Sequence, residues 1–251
     1  MVLKALSALA CGAALALPLP GIAQSPQPLR RLVYTFTWGN SNDTETNTSG
    51  FREQGVATGE SSTSAASGMA HDTASDSDRG TISVDVTREQ PDSGLILSIS
   101  EQAQTRRSSP PATCVVYGDT TVVCDPNKHI NAEEFALLRF LGAHFVDPNA
   151  LDAKQHWHVE RDGAITTIAD YTIAKNEAGV LSINEVRIVK QTGSRPLTTN
   201  TNATIGYDFS RSVPTAISEY SIQRSEQGDQ YVTVTAETVL QLQTDSMASH
   251  K

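Results

Sequence analysis

The sequence predicts a mostly β protein with one α-helix: a curved, half-barrel-like antiparallel meander of about eight to eleven strands packed on a single apolar helix. Three observations lead there. Alternation of apolar and polar residues with period two recurs from Leu32 almost to the C-terminus. The links between these runs are short and rich in Gly, Asn, Asp and Pro, so successive strands are antiparallel neighbours. Segment 131–146 instead carries helical spacing, with more apolar width than one contact stripe needs.

The first strand is set by Leu32, Tyr34, Phe36 and Trp38 alternating with Val33, Thr35 and Thr37. Residues 39–80 then offer Phe51, Val56 and Met69 among many Ser, Thr and Gly, and a long mobile loop, or weak solvent-facing strands, is expected. The acidic positions Asp72, Asp76 and Asp78 lack the Gly and Glu placement of a calcium loop and read as solvated. Ile82, Val84 and Val86 pair with Leu95, Leu97 and Ile99 around the turn at 90–94.

A further hairpin centres on Gly118-Asp119-Thr120 and sets Cys114 directly across from Cys124, within disulfide reach. In the helix, Asn131 is the cap and Glu134 completes a capping box, so the helix begins at Ala132 and stops before Asp147-Pro148. Leu137, Leu138, Phe140, Leu141 and Phe145 cover an arc of roughly 160°, which Phe135 extends, and Arg139 marks a thin polar face. Six further strand-like runs follow, at 155–161, 165–175, 179–190, 198–209, 215–224 and 231–242. The apolar parity of Leu181 and Ile183 flips at Val186 and Ile188, which predicts a β-bulge at Asn184-Glu185.

Residues 1–23 read as a cleaved signal peptide: Lys4, an apolar stretch over 5–19, and Gly21-Ile22-Ala23 as the cleavage site. Residues 24–251 then form one β-rich domain outside the cytoplasm, periplasmic or secreted, where the two remaining cysteines pair. No later stretch is apolar enough to span a membrane. A formal charge of −9 excludes a protein built on phosphate-backbone contacts, and no nucleic-acid partner is expected.

Sequence motifs assign no catalytic residue and no cofactor: nucleophile elbow, zinc-protease, dinucleotide-binding and phosphate-loop patterns are all missing. His156, His158 and Glu160 share one strand face and are the metal candidates, but a complete site needs ligands from elsewhere, so no metal is assigned. Glu133 and Glu134 are accounted for by helix capping and the helix dipole.

An over-wide apolar helix facing a curved sheet suggests shelter for a lipid or other apolar small molecule, in a cavity walled by Phe135, Leu138, Leu141 and Phe145 with Tyr34 and Phe36 of the sheet. In outline this is similar to the periplasmic lipoprotein-carrier folds, in which a curved sheet with a helical lid shelters acyl chains; the similarity is architectural, and no functional residue is carried over from it. The alternatives are an envelope structural or adhesion module whose helix fills its own cavity, and a hydrolase whose carboxylates leave no local motif.

Overall fold

In a computed structural model the described residues are 27–47, 69–90, 94–117, 121–141, 145–146, 155–177, 179–193, 196–227 and 230–247. They form β1 (Arg30–Asn47), β2 (Met69–Glu89), β3 (Leu95–Ala103), β4 (Ala112–Val116) and β5 (Val122–Cys124), then α1 (Ala132–Leu138). After α1 come β6 (His156–Arg161), β7 (Ile165–Glu177), β8 (Val180–Gln191), β9 (Leu197–Asp208), β10 (Val213–Gln227) and β11 (Gln230–Asp245).

All eleven strands lie in one antiparallel sheet, ordered β5-β4-β3-β2-β1-β11-β10-β9-β8-β7-β6. Each half is a meander, and β1 joins the halves by pairing with β11 over nearly its whole length. The sheet is not closed: β5 and β6 are its two opposite edges, and α1 lies on the chain that links them. A helix on that crossover packs against β3, β10 and β11 and covers the concave face. The expected fold class is the one observed.

Alternation puts Leu32, Tyr34 and Phe36 of β1 inward beside Ile82, Val84 and Val86 of β2, with Leu240 of β11 on the other flank. Leu137, Leu138, Phe140 and Leu141 descend onto this layer and are almost entirely buried. Burying such a side chain is worth roughly 1.5–3 kcal/mol, so this contact is the main apolar bond between helix and sheet. Tyr34 keeps its hydroxyl satisfied there by donating to the carbonyl of Pro214 at 2.9 Å.

Of the mobile loop and the weak solvent-facing strands expected over 39–80, the strands are found at 39–47 and 69–80: these are the far halves of β1 and β2, paired from Gly39↔Ser77 out to Asn47↔Met69. Their polar composition fits strands with solvent near both faces, and the backbone ladder, unlike a core, needs no apolar side chain. Segments 48–68 and 1–23 lie outside the described residues.

Two other expectations are corrected. The helix is shorter than 131–146. After Leu138 the backbone tightens, Phe140 and Leu141 donating to Leu137 and Leu138 three residues back, and Phe145 and Val146 are buried but not helical. The bulge expected at Asn184-Glu185 is absent as well, for β8 pairs there without interruption and the register shift falls on β7 instead, between Ile173 and Lys175, opposite Ile183 and Ser182. Val186 accordingly points outward and is exposed, while Glu185 points inward and is buried.

A groove between the helix and the far strands

Two arginines fasten α1 to opposite halves of the sheet. On the β2–β3 side, Asp78 accepts backbone N–H groups from Arg79, Gln104, Thr105 and Arg106 at 2.7–3.2 Å. Burial pushes this carboxyl up, but the N–H donors outweigh it and hold it well below the usual carboxylate range. The turn so fixed aims Arg106 over the rings of Phe36 and Trp38, where it pairs with Glu101 at 2.9 Å and with Glu133 of the helix. Glu134 accepts from the Asn131 backbone N–H at 2.9 Å, as the capping box requires, and from Ser109 Oγ at 2.8 Å. Burial raises the Glu134 carboxyl despite these donors.

On the opposite side Arg139, at the C-terminal end of α1, faces the sheet rather than solvent. It donates to Glu185 Oε1 of β8 at 2.7 Å and to Glu219 of β10. Tyr171 of β7 donates to the same Glu185 oxygen at 2.9 Å. Arg187, also inward on β8, reaches these carboxylates only at 3.5 and 3.8 Å and donates to Thr201 Oγ1 at 3.3 Å. Burial, then the neighbouring Arg139, lowers its pKa. Beneath lies an aromatic cluster: Phe145 meets Phe140, Trp157, Tyr171 and Tyr207 edge-on at 5.0–6.0 Å, and Trp157 stacks on Tyr171 at 5.0 Å.

Between α1 and β6–β8 runs a groove of about 370 Å³. Thr121, Val122, Phe135 and Arg139 form its helix-side wall. Val159 and Arg161 of β6, Ile165, Thr167, Ala169 and Tyr171 of β7, and Arg187 and Val189 of β8 form the sheet side. Its size is that of a small-molecule site, and it joins apolar walls to a few convergent polar groups. Among the described residues its lining holds three arginines and no carboxylate.

No protein-family model matches this chain, and no curated protein matches it in sequence. The site therefore rests on its own geometry. Of the residues assigned from sequence to an apolar cavity, Phe135 lines the groove, 44% exposed. Leu138, Leu141, Phe145, Tyr34 and Phe36 are instead packed in the core. Sequence reasoning missed Arg139, Arg187, Ile165 and Val189, although the unbroken inward series Leu181, Ile183, Glu185, Arg187, Val189 was available to it.

Cys114 and Cys124 are paired across β4 and β5 and lie within disulfide distance, their Cα atoms 4.0 Å apart. Such a pair is compatible with an oxidising, extracytoplasmic compartment. His156, His158 and Glu160 sit together on the outer face of β6, all exposed. His158 is engaged by Asp170 at 2.8 Å, a hydrogen bond that raises its pKa. Among the described residues no group of three or more ligands is placed to hold a metal.

Proposed function

We propose that the protein is an exported binding module or carrier for an acyl chain or similar apolar ligand, seated in the groove between α1 and β6–β8. One observation carries this reading: Phe135 and Ile165, 44% and 53% exposed, stand on the walls of a single groove whose other side chains include Val122, Val159 and Val189. Large apolar groups left open in one concavity, rather than scattered over a surface, are what an apolar ligand needs to cover. The signal-like segment 1–23 and the cysteine pair support action outside the cytoplasm.

Complete packing of Leu138, Leu141 and Phe36 favours a second reading, a structural or adhesion module that fills its own concavity. Titration with the methyl ester of dansyl-undecanoic acid, followed by dye fluorescence, separates the two. The carrier reading expects saturable binding at one site, weakened at least about tenfold by Ile165→Asp. Because Ile165 is exposed, the urea midpoint of that variant should stay near that of the parent. No saturable uptake of the ester or of its parent acid leaves the structural reading in place.

A further inference from the structure

The charge distribution in the groove names its ligand class more closely, on the assumption that the carrier reading above holds. The chain carries a formal net charge of −9, yet among the described residues the groove between helix and far strands is lined by Arg139, Arg161 and Arg187 and by no carboxylate. Guanidiniums are costly beside valine and phenylalanine walls unless something compensates them. Glu185 and Glu219, behind the lining, compensate unevenly. Arg139 takes the close hydrogen bonds of both. Arg187 is left with one hydrogen bond to Thr201 and with ion-pair contacts at 3.5 Å from its Nε and 3.8 Å from its Nη2, the Nε making no hydrogen bond. Its side chain is 13% exposed, so water gives it little relief. Burial and the adjacent Arg139 both disfavour its charge, as expected of a cation short of an anion.

We propose that the groove takes an anionic amphiphile, its chain along Phe135, Val159, Ile165 and Val189 and its carboxylate or phosphate head on Arg187, with Arg161 as the second donor. Arginine suits this role because its planar fork meets either oxyanion with two parallel hydrogen bonds. Arg139, already held by two carboxylates, positions the helix wall instead of binding the head.

The test compares dansyl-undecanoic acid with its methyl ester on the same protein at neutral pH. The acid should bind at least about tenfold more tightly, the scale of one charge-assisted hydrogen bond. Arg187→Gln should bring the acid-to-ester affinity ratio down to about one. Should Arg187→Gln fail to fold, Arg161→Gln serves in its place and should reduce the acid-to-ester ratio by several-fold. Equal affinity of acid and ester in the parent, or an undiminished ratio in the folded variants, overturns the head-group assignment while the carrier reading stands. Binding of neither probe overturns both. Competition by palmitate against dodecyl phosphate then tells which oxyanion the site prefers, and inorganic phosphate alone should not displace the acid, because it brings no chain.

Discussion

Arg139 at the end of α1 donates to Glu185 Oε1 in the middle of β8 at 2.7 Å, a charged bond buried between helix and sheet. Glu185 is 1% exposed, and its own strand neighbour Arg187 stands farther away at 3.5 Å. Removing Arg139 strands this carboxylate. Arg139→Ala should therefore destabilise the fold by about 3–5 kcal/mol in urea unfolding. Arg139→Met with Glu185→Gln should cost clearly less, since the fully buried Glu185 charge leaves together with its partner and Glu219 keeps Arg187 as a counter-charge. Equal losses would show that packing, not charge, dominates there.

The same pair shows what the sequence makes legible. Strand alternation is strong wherever one face is apolar, which is why β1 at Leu32–Phe36, β3 and the β4–β5 hairpin follow directly from the residues. Inward-facing Glu185 and Arg187 break that signal: an apolar-inside rule reads Val186 and Ile188 as the buried face and must invent a bulge to do so. Arg139 fails in the same way, because its partners come from strands 46 and 80 residues farther along the chain. The far halves of β1 and β2 are invisible to hydrophobic pattern for another reason. Their order comes from backbone pairing, of β1 with both β2 and β11 and of β2 with β1, and a ladder leaves no trace in side-chain polarity.

The cysteine pair closes a short loop, with ten residues of sequence separation. Its loss should lower stability by about 2–3 kcal/mol. Cys114→Ser with Cys124→Ser, compared with the parent by thermal unfolding, measures this directly, and non-reducing peptide mapping of the parent should recover the two peptides joined.

Gly80 pairs with Phe36 on one side and Ala103 on the other. A Cβ there would lie 2.0 Å from the Gln102 carbonyl oxygen and 2.8 Å from Cε1 of Phe36. The ring is able to shift; the backbone oxygen is held in the sheet. Gly80→Ala should cost about 1–3 kcal/mol or more, and adding Phe36→Leu should not restore the loss. Full rescue by Phe36→Leu would place the conflict at the ring.

The last expectation concerns acid. Asp78, held low by four backbone N–H donors, and Asp245, held low against its burial by Arg30 at 2.6 and 3.0 Å, both ionise more readily folded than unfolded. A depressed folded pKa gives stability that is present above the unfolded value, about 3.9, and is lost as pH falls towards the folded one. Glu134 runs the opposite way. Burial raises its folded pKa, so its contribution is greatest below the unfolded value and fades as pH rises. With Asp208, held low by Ser210 and Arg211, three depressed groups against one raised group should leave the urea midpoint falling below about pH 4. Asp78→Asn should flatten that fall and loosen the turn at 104–106, read as faster amide exchange at Thr105 and Arg106. Glu134→Gln keeps one oxygen for the Asn131 N–H and turns an amide N–H donor towards Ser109 Oγ in place of the second, and it should hold or raise the midpoint near neutral pH. An unchanged acid slope in Asp78→Asn would mean that the N–H groups around Asp78 do not bind its charged form more strongly in the folded protein.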